Sequence, residues 1–291
     1  MKFLVLGVSG MAGHIIALYL KDQSHDVTGF SRREVNFVKS IAGDATNTEL
    51  LKKIITDGQF DVVINAIGVL NKACDEHTST AIFLNGVLPH FLAETCRNLK
   101  TRVIHMSTDC VYAGNTGPYT EMSFPDGRSY YDRSKAIGEL RDEKNLTLRN
   151  SIVGPDINAN GIGLFNWFMK QPVDKPINGF TKAMWTGLTT LELAKIMLLV
   201  SEQWAKGSAT PNGLINMVYK SNISKFNLLK LFNHYLRNDA VTINPSEQLV
   251  LDKTLVRGSD SFDYEVPSYD TMVKEMADWI FSHKEIYPHY F

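Results

Sequence analysis

A tyrosine and a lysine four residues apart, Tyr131 and Lys135, are the residues of this 291-residue chain best spaced for acid–base chemistry. On a helix this spacing places both side chains on one face, one turn apart. A free tyrosine has a pKa of about 10 and is a poor acid or base at neutral pH. Because a fixed ammonium group favours the phenolate, we expect Lys135 to lower the pKa of Tyr131.

Further polar groups stand shortly before this pair. Residues 103–106 have the pattern of a buried strand, and Thr108 and Asp109 follow it. Ligands of open parallel sheets bind beyond the carboxyl ends of the strands, which makes both residues candidate site residues. A role in capping or bracing the loop suits Asp109 equally well. We interpret His105, inside the strand, as a core histidine rather than a catalytic one.

A glycine-rich turn lies near the start of the chain. Residues 2–6 predict a strand, Gly7, Gly10 and Gly13 form a G-x-x-G-x-x-G pattern, and residues 14–20 predict a helix. This strand, turn and helix order is the context that a dinucleotide-binding motif requires. Glycines there let the backbone approach a pyrophosphate at the helix N-terminus. The alternative is an ordinary turn between a strand and a helix.

The end of the second predicted strand, residues 26–30, bears on the choice of dinucleotide. It runs into Ser31, Arg32 and Arg33, with no acidic residue at its tip. An acidic residue there would bind the ribose 2′-hydroxyl of NAD, whereas arginine suits a 2′-phosphate. We therefore expect NADPH, with Ser31 and Arg32 as contacts, and leave NADH open. The alternative is a solvated basic turn.

Strands and helices alternate over the first ~150 residues, which predicts an α/β protein with a Rossmann-type doubly wound parallel sheet. We expect a smaller C-terminal α/β substrate-binding domain. The dinucleotide domain would comprise 1–155, with 184–219 returning to it, and the second domain 156–183 and 220–291. Further strands are expected at 41–45, 61–66, 145–149 and 214–219, and helices at 47–56, 78–98 with a break at Pro89, 131–144, 189–203, 227–237 and 269–283.

Composition excludes several classes of protein. The net charge of −1 gives no strong field toward nucleic acid or an anionic membrane. No apolar run approaches the roughly 20 residues of a membrane span, and the first residues read as a strand rather than a signal peptide, so we expect a cytoplasmic protein. Three scattered cysteines predict neither disulfides nor a metal site. Residues 287–291 are expected to form a surface tail, unless their aromatic rings dock on the body or on a partner.

Three linked motifs resemble the extended short-chain dehydrogenase/reductases, and within them the dTDP-4-dehydrorhamnose reductase family. The motifs are S-T-D-C-V-Y at 107–112, P-Y-T-E at 118–121 and Y-D-R-S-K-A-I-G-E at 131–139, and the glycine turn, N-A-I-G at 65–68 and Asn85 add to them. The clear coverage is residues 1–155. Cys110, Ala113, Asp132 and the segment 150–155 depart from the family pattern, and they put the exact substrate in doubt more than the chemistry.

The resemblance implies roles for individual residues. Tyr131 would protonate the substrate carbonyl oxygen, Thr108 would hydrogen-bond the same oxygen, and Lys135 would lower the pKa of Tyr131 and hold the nicotinamide ribose. Asp109 could orient a sugar hydroxyl. In the C-terminal half, the candidate substrate contacts are Trp185, which could stack on a base or sugar, and Arg257, which could pair with a diphosphate; the alternative for both is a structural role. The implied cofactor contacts, besides Tyr131 and Lys135, are Gly7, Ser9, Gly10, Met11, Ala12, Gly13, Ser31, Arg32, Asp44, Ala45, Asn65, Ala66, Ile67, Asn85 and Met106.

The implied function is the NAD(P)H-dependent reduction of a nucleotide-linked 4-keto-6-deoxy sugar, for surface polysaccharide or deoxysugar synthesis. Two alternatives stay open, an epimerase of the same superfamily and a regulatory subunit that binds dinucleotide without catalysis. The nucleotide and the sugar stereochemistry are left open, as is a homodimer.

Overall fold

A seven-stranded parallel sheet forms the centre of the computed structural model, which describes residues 1–259 and 261–291. The spatial order is β3-β2-β1-β4-β5-β6-β11, the doubly wound order expected from the sequence. The strands are β1 (Lys2–Leu6), β2 (Asp26–Ser31), β3 (Lys39–Ala42), β4 (Val62–Asn65), β5 (Arg102–Ser107), β6 (Leu146–Arg149) and β11 (Gly213–Asn216). The predicted return of a late strand is confirmed, because β11 pairs with β6.

Helices and small sheets complete the described chain. The helices are α1 (Met11–Asp22), α2 (Thr48–Gly58), α3 (Asn71–Glu76), α4 (Thr78–Ile82), α5 (Leu88–Cys96), α6 (Tyr130–Ile137), α7 (Leu164–Met169), α8 (Thr190–Ala205), α9 (Lys225–Arg237) and α10 (Tyr269–Ser282). The small sheets pair β7 (Ser151–Val153) with β10 (Gly187–Thr189), β8 (Ile177–Phe180) with β13 (Ile243–Ser246), and β9 (Ala183–Trp185) with both β12 (Ile223–Ser224) and β14 (Leu251–Asp252). The division into two domains stays a prediction.

The central sheet is buried on both faces, which explains why its strands are continuously apolar. In β1, Phe3 and Val5 join one apolar cluster with residues of α1 and α8. The alternate residues Leu4 and Leu6 join a second cluster with residues of α2 and α5. The two-residue alternation of a strand therefore supplies both halves of the core. None of the helices in the described ranges is long and apolar enough to cross a membrane.

Two predicted helices differ from the structure. The expected helix 78–98 consists of α4, a π-helical turn over Phe83–Val87, and α5, with Pro89 in the first turn of α5. Helix α6 ends at Ile137 rather than near residue 144. Its last turn passes so close to the π-helical turn that a Cβ on Gly138 would lie 2.0 Å from the carbonyl oxygen of Asn85. This contact between distant segments explains why local periodicity misplaced the end of α6.

A buried ion pair joins the elements that surround the carboxyl edge of the sheet. Arg149, at the end of β6, donates to both carboxylate oxygens of Glu139, at 2.7 and 2.6 Å. The same guanidinium donates to the hydroxyl of Tyr112 at 2.7 Å and to Asn216 at 3.3 Å. Ser107, at the end of β5, donates to Glu139 at 2.7 Å. These bonds fix the end of α6 against the ends of three strands.

The C-terminal segment packs on the glycine turn rather than projecting as a surface tail. Tyr287 is fully buried, and its hydroxyl lies 2.9 Å from Nε2 of His14. Nδ1 of His14 lies 2.8 Å from the carbonyl oxygen of Gly10. The Tyr290 hydroxyl accepts from the amide of Asp156 at 2.9 Å. The docking left open by the sequence is therefore on the body of the same chain, beside the glycine turn.

We expect Glu139→Gln to lower the free energy of unfolding by about 3–5 kcal/mol, because it leaves the buried Arg149 guanidinium without its carboxylate. Urea unfolding measures the change. Asp278→Asn is the matched control, since it breaks an exposed ion pair with Lys274 and should cost no more than about 1 kcal/mol. Equal effects of the two substitutions would show that the buried pair does not stabilise the fold as argued.

The buried histidine of α1 predicts a loss of stability in mild acid. Burial lowers the pKa of His14 to about 4, against its ordinary value of 6.5. Between these values the unfolded chain binds a proton that the native protein excludes, so stability falls as the pH decreases through this range. Between pH 7 and 5 we expect this group to contribute a loss of about 2 kcal/mol.

Urea unfolding of the unsubstituted protein and of His14→Gln at both pH values checks this expectation. The variant should lose less stability on acidification than the unsubstituted protein does. His77→Gln, at a histidine on the surface, is the matched control and should lose as much stability on acidification as the unsubstituted protein does. An unchanged pH dependence in His14→Gln would contradict the assignment.

Candidate active site at the carboxyl edge of the sheet

The glycine turn brings the backbone between β1 and α1 close to the loop that follows β4. Gly7 has a φ of +84°, and a Cβ there would lie 3.0 Å from the carbonyl group of Ala66. A Cβ on Gly13 would lie 2.2 Å from the carbonyl oxygen of Gly7. Gly10 caps α1 without a side-chain hydrogen bond, which leaves the first-turn N–H groups open to an anion. Ser9 and Gly10 are exposed, whereas Ala12 and Gly13 are buried.

The basic tip of β2 lies beside this turn. The amide of Gly7 donates to the carbonyl oxygen of Phe30 at 2.8 Å, one residue before Ser31. Arg32 is exposed, whereas Ser31 is buried and donates to a backbone carbonyl oxygen at 2.6 Å. Hydrogen bonds from Thr46 are the main cause of the lowered pKa of Asp44, and the nearby charge of Arg32 lowers this pKa further. Arg32 and Asp44 therefore share one edge, as a contact with one ligand requires.

Thr108 and Asp109 form the turn after β5. The Thr108 hydroxyl accepts from the amide of Cys110 at 3.1 Å and donates to Asp109 at 3.2 Å. Asp109 is buried, and this burial raises the pKa of its carboxyl. The Thr108 hydroxyl also lies near enough to the Tyr131 phenol to lower its pKa against the effect of burial, so the structure brings these two predicted catalytic residues to one place.

A capping box between Ser129 and Asp132 begins α6 and directs Tyr131 and Lys135 along one face. Lys135 is buried, and its Nζ donates to the carbonyl oxygen of Met106 at 2.6 Å. Burial raises the pKa of Tyr131, and it lowers the pKa of Lys135 to about 8. Desolvation has the largest effect on the pKa of Tyr131 and the Lys135 amine is directed toward Met106, so the lowering of this pKa by Lys135 stays a prediction.

Two buried residues extend this arrangement behind Lys135. Nε2 of His105 lies 3.4 Å from Nζ of Lys135, and its Nδ1 lies 3.2 Å from Nδ2 of Asn65. The sequence predicted only a core position for His105, and the contact of this residue with Lys135 was not predicted. The available signal was a histidine in an otherwise apolar strand, two residues before Ser107. Asn65, predicted as a cofactor contact, is fully buried and directed at His105 instead.

Asn85 also holds protein groups together. It is fully buried in the π-helical turn, and its side chain exchanges two 2.9 Å hydrogen bonds with the backbone of Val69. Its Nδ2 also donates to the hydroxyl of Ser134, in α6, at 3.1 Å. Because its amide is fully engaged, this position supports bracing of α6 rather than the predicted direct contact with a cofactor.

The two substrate candidates of the C-terminal half differ in their surroundings. Trp185 is only 6% exposed and packs against Tyr269 in the core, so its burial does not support the predicted stacking on a ligand. Arg257 donates to the carbonyl oxygen of Tyr264 at 2.8 Å and lines a cavity of about 340 Å³. The role of Arg257 in binding a diphosphate stays a prediction.

Two lysines that the sequence analysis did not select approach the site from the C-terminal half. The stem of Lys253 lies over Gly114, and both Lys253 and Lys225 lower the pKa of Asp109 against the effect of its burial. Neither lysine forms a salt bridge within the described ranges. More than 100 residues separate them from Asp109, so no local pattern could have identified them.

The described residues, 1–259 and 261–291, contain no group of three or more aspartate, glutamate, histidine or cysteine side chains that could hold a metal ion.

Comparisons with curated proteins find relatives of the N-terminal half. The chain is 33% identical over 157 residues to a probable low-salt glycan biosynthesis reductase of Haloferax volcanii, covering 51% of this chain and 52% of the relative. It is 28% identical over 140 residues to a dTDP-4-dehydrorhamnose reductase of Streptomyces griseus, covering 47% and 43%. The chain thus spans about half the length of the curated relatives that it matches.

Solved structures share the fold over nearly the whole chain. A dTDP-4-dehydrorhamnose reductase of Bacillus anthracis, solved in complex with NADP, superposes with a TM-score of 0.77. The alignment covers 94% of this chain and 98% of that structure, at 15% identity. At this identity the likeness shows the Rossmann-type fold alone. Residues 3–141 match the NAD dependent epimerase/dehydratase family, and over that part of the chain the resemblance to the extended short-chain dehydrogenase/reductases is confirmed.

Proposed function

We propose that this chain is an NADPH-dependent reductase of a nucleotide-linked 4-keto-6-deoxy sugar, acting in glycan or deoxysugar synthesis. The observation that carries the proposal is the placement of three residues at the carboxyl end of β5, where Thr108 caps the following turn and α6 brings Tyr131 and Lys135 beside it. The curated relatives named as reductases in glycan and deoxysugar synthesis support the same reaction class.

The residues present fit a dinucleotide. The first turn of α1 has N–H groups without a side-chain cap, and the glycine turn leaves no room for side chains beneath a pyrophosphate. Exposed Arg32 offers a cation for a 2′-phosphate at the adjacent edge. The NADP complex of the Bacillus anthracis protein supports the same cofactor class. When bound, NADPH supplies the hydride of the reaction.

Tyr131 would act as the general acid. A phenol is protonated at neutral pH, as donation to a carbonyl oxygen requires, and a charged Lys135 would favour the phenolate that remains. The O–H bond of Tyr131 breaks as its proton passes to the substrate oxygen, while the carbonyl carbon receives the hydride. The Thr108 hydroxyl would donate to the same oxygen and orient it. Lys253 and Lys225 would attract the phosphates of the substrate toward this edge.

We expect Tyr131→Phe to reduce turnover by at least 10²-fold, because it removes the proton donor and little else. Absorbance at 340 nm, with a panel of nucleotide-linked 4-keto-6-deoxy sugars, measures NADPH consumption. Fluorescence titration should show that NADPH binding is retained. Tyr130→Phe is the matched control and should keep full turnover, since that neighbouring ring is half exposed and lies outside the proposed site. Retained turnover in Tyr131→Phe would exclude Tyr131 as the acid.

The tip of β2 predicts the cofactor preference. We expect Arg32→Ala to raise the KM for NADPH about 10- to 100-fold and to leave the KM for NADH nearly unchanged, because the guanidinium pairs only with the 2′-phosphate. Steady-state kinetics with both dinucleotides measures the two values. Arg33→Ala is the matched control and should change neither. A parallel rise for both dinucleotides in Arg32→Ala would remove the 2′-phosphate assignment.

The alternatives correspond to distinct outcomes of the same assay. An epimerase would retain bound NAD and interconvert a sugar nucleotide without net consumption of NADPH. A regulatory subunit would bind dinucleotide, show no turnover with any sugar nucleotide, and form a stable complex with a partner enzyme.

A further inference from the structure

Five polar groups form a continuous hydrogen-bonded chain beneath the active-site face. The amide of Ile67 donates to Oδ1 of Asn65 at 3.2 Å. Nδ2 of Asn65 lies 3.2 Å from Nδ1 of His105, and Nε2 of His105 lies 3.4 Å from Nζ of Lys135. Lys135 in turn donates to the carbonyl oxygen of Met106 at 2.6 Å. Both ends of the chain are therefore fixed by backbone groups whose donor or acceptor role cannot change.

The backbone amide determines the direction of every bond in this chain. Because the N–H of Ile67 can only donate, the oxygen of the Asn65 amide faces it and the NH₂ group faces His105. Nδ1 of His105 must then accept. A neutral imidazole carries its single proton on the other nitrogen, so the N–H of His105 is on Nε2 and is directed at Lys135.

An N–H donor directed at Lys135 opposes a charged ammonium and suits an uncharged amine. The ammonium has three donors and no acceptor, whereas the amine has a lone pair that can accept from Nε2–H. We propose that His105 is a positioning residue for Lys135, locked by Asn65 in its Nε2–H tautomer so that it favours the uncharged form of Lys135.

The surroundings of this hydrogen-bonded chain shift the pKa of Lys135 in both directions and the pKa of His105 only downward. Burial lowers the pKa of Lys135, whereas Glu139, just beyond the end of α6, and Cys74 on α3 raise it. Burial also lowers the pKa of His105, as do the charges of Lys135 and of His90 on α5. Burial and these two charges disfavour the imidazolium form of His105. The ring is therefore neutral, and the hydrogen bonds select its tautomer.

The consequence for catalysis rests on the proposed reductase function. If charged Lys135 assists Tyr131, turnover decreases as the pH rises through the pKa of Lys135. His105 then sets where this decrease occurs, and loss of its N–H should move the alkaline limb of the pH profile upward. This contact thus makes His105 a residue that tunes the working pH without touching substrate.

The first test is made on the unsubstituted protein and does not need activity. Two-bond ¹H–¹⁵N correlation spectra of histidine-labelled protein separate the two neutral tautomers. His14 is an internal reference of the opposite kind, because its Nδ1 faces the carbonyl oxygen of Gly10 and must carry the proton. We expect the Nε2–H pattern for His105 and the Nδ1–H pattern for His14. An Nδ1–H or imidazolium pattern for His105 would overturn the proposal.

The second test measures the pKa of Lys135 by NMR titration of lysine side chains. His105→Asn keeps an acceptor near the position of Nδ1 but has no N–H at the position of Nε2, so the pKa of Lys135 should rise by about one unit. Asn65→Ala keeps the histidine and releases its tautomer, so that Nε2 accepts from the ammonium and the pKa of Lys135 rises again. An unchanged pKa in both variants would contradict the proposal.

These outcomes separate the two proposals. Absence of turnover with every sugar nucleotide would reject the reductase and leave the tautomer and the pKa of Lys135 measurable. Turnover with an unchanged alkaline limb in His105→Asn would reject the role of His105 and retain the reductase. If either variant fails to fold, the spectrum of the unsubstituted protein still decides the tautomer.

Discussion

The buried pairing of Arg149 with Glu139 is the interaction on which the geometry of the site depends. A fully buried guanidinium is tolerated only with a carboxylate and well-directed acceptors around it. Here those partners are Glu139 after α6, Tyr112 in the loop after β5 and Asn216 at the end of β11, and Ser107 at the end of β5 donates to the same carboxylate. Satisfying one guanidinium therefore fixes several elements at once. Thr108 and Lys135 lie within a few residues of these partners, so the pair sets their separation.

Burial shifts the pKa values of the acidic groups and of the basic groups of the site in opposite directions. It raises the pKa values of Tyr131 and Asp109 and lowers those of Lys135 and His105. Each shift favours the uncharged form, because the low-dielectric surroundings penalise charge. The phenol and the amine therefore lie in surroundings that oppose charge, so a charged ligand bound beside them would shift both pKa values.

The two halves of the chain meet around this region through a few directed contacts. The C-terminal segment places Tyr287 on His14, whose ring is held by Gly10 of the glycine turn. The stem of Lys253 lies over Gly114, in the loop that follows β5, and the charge of Lys253 lowers the pKa of Asp109. Glycine-rich backbone is intrinsically free to move, so external contacts of this kind restrict it without occupying its ligand-facing N–H groups. The C-terminal half therefore shapes a site whose motifs all lie in the N-terminal half.

The sequence by itself determined what depends on neighbours along the chain. The turn was identified from the spacing of Gly7, Gly10 and Gly13, and the helix face from the four-residue step between Tyr131 and Lys135. Both spacings are local, because each lies within a few consecutive residues of the chain. The alternation of predicted strands with predicted helices indicated the parallel sheet, because parallel strands need a crossover connection between them.

Only the tertiary structure decided which side chains meet across elements. It ended α6 at Gly138 through contact with Asn85, placed Trp185 in the core, and directed Lys135 at Met106 and His105. These outcomes depend on burial and on partners distant in sequence. Local patterns carry no record of such contacts, because desolvation and hydrogen bonding between elements exist only after the chain has packed.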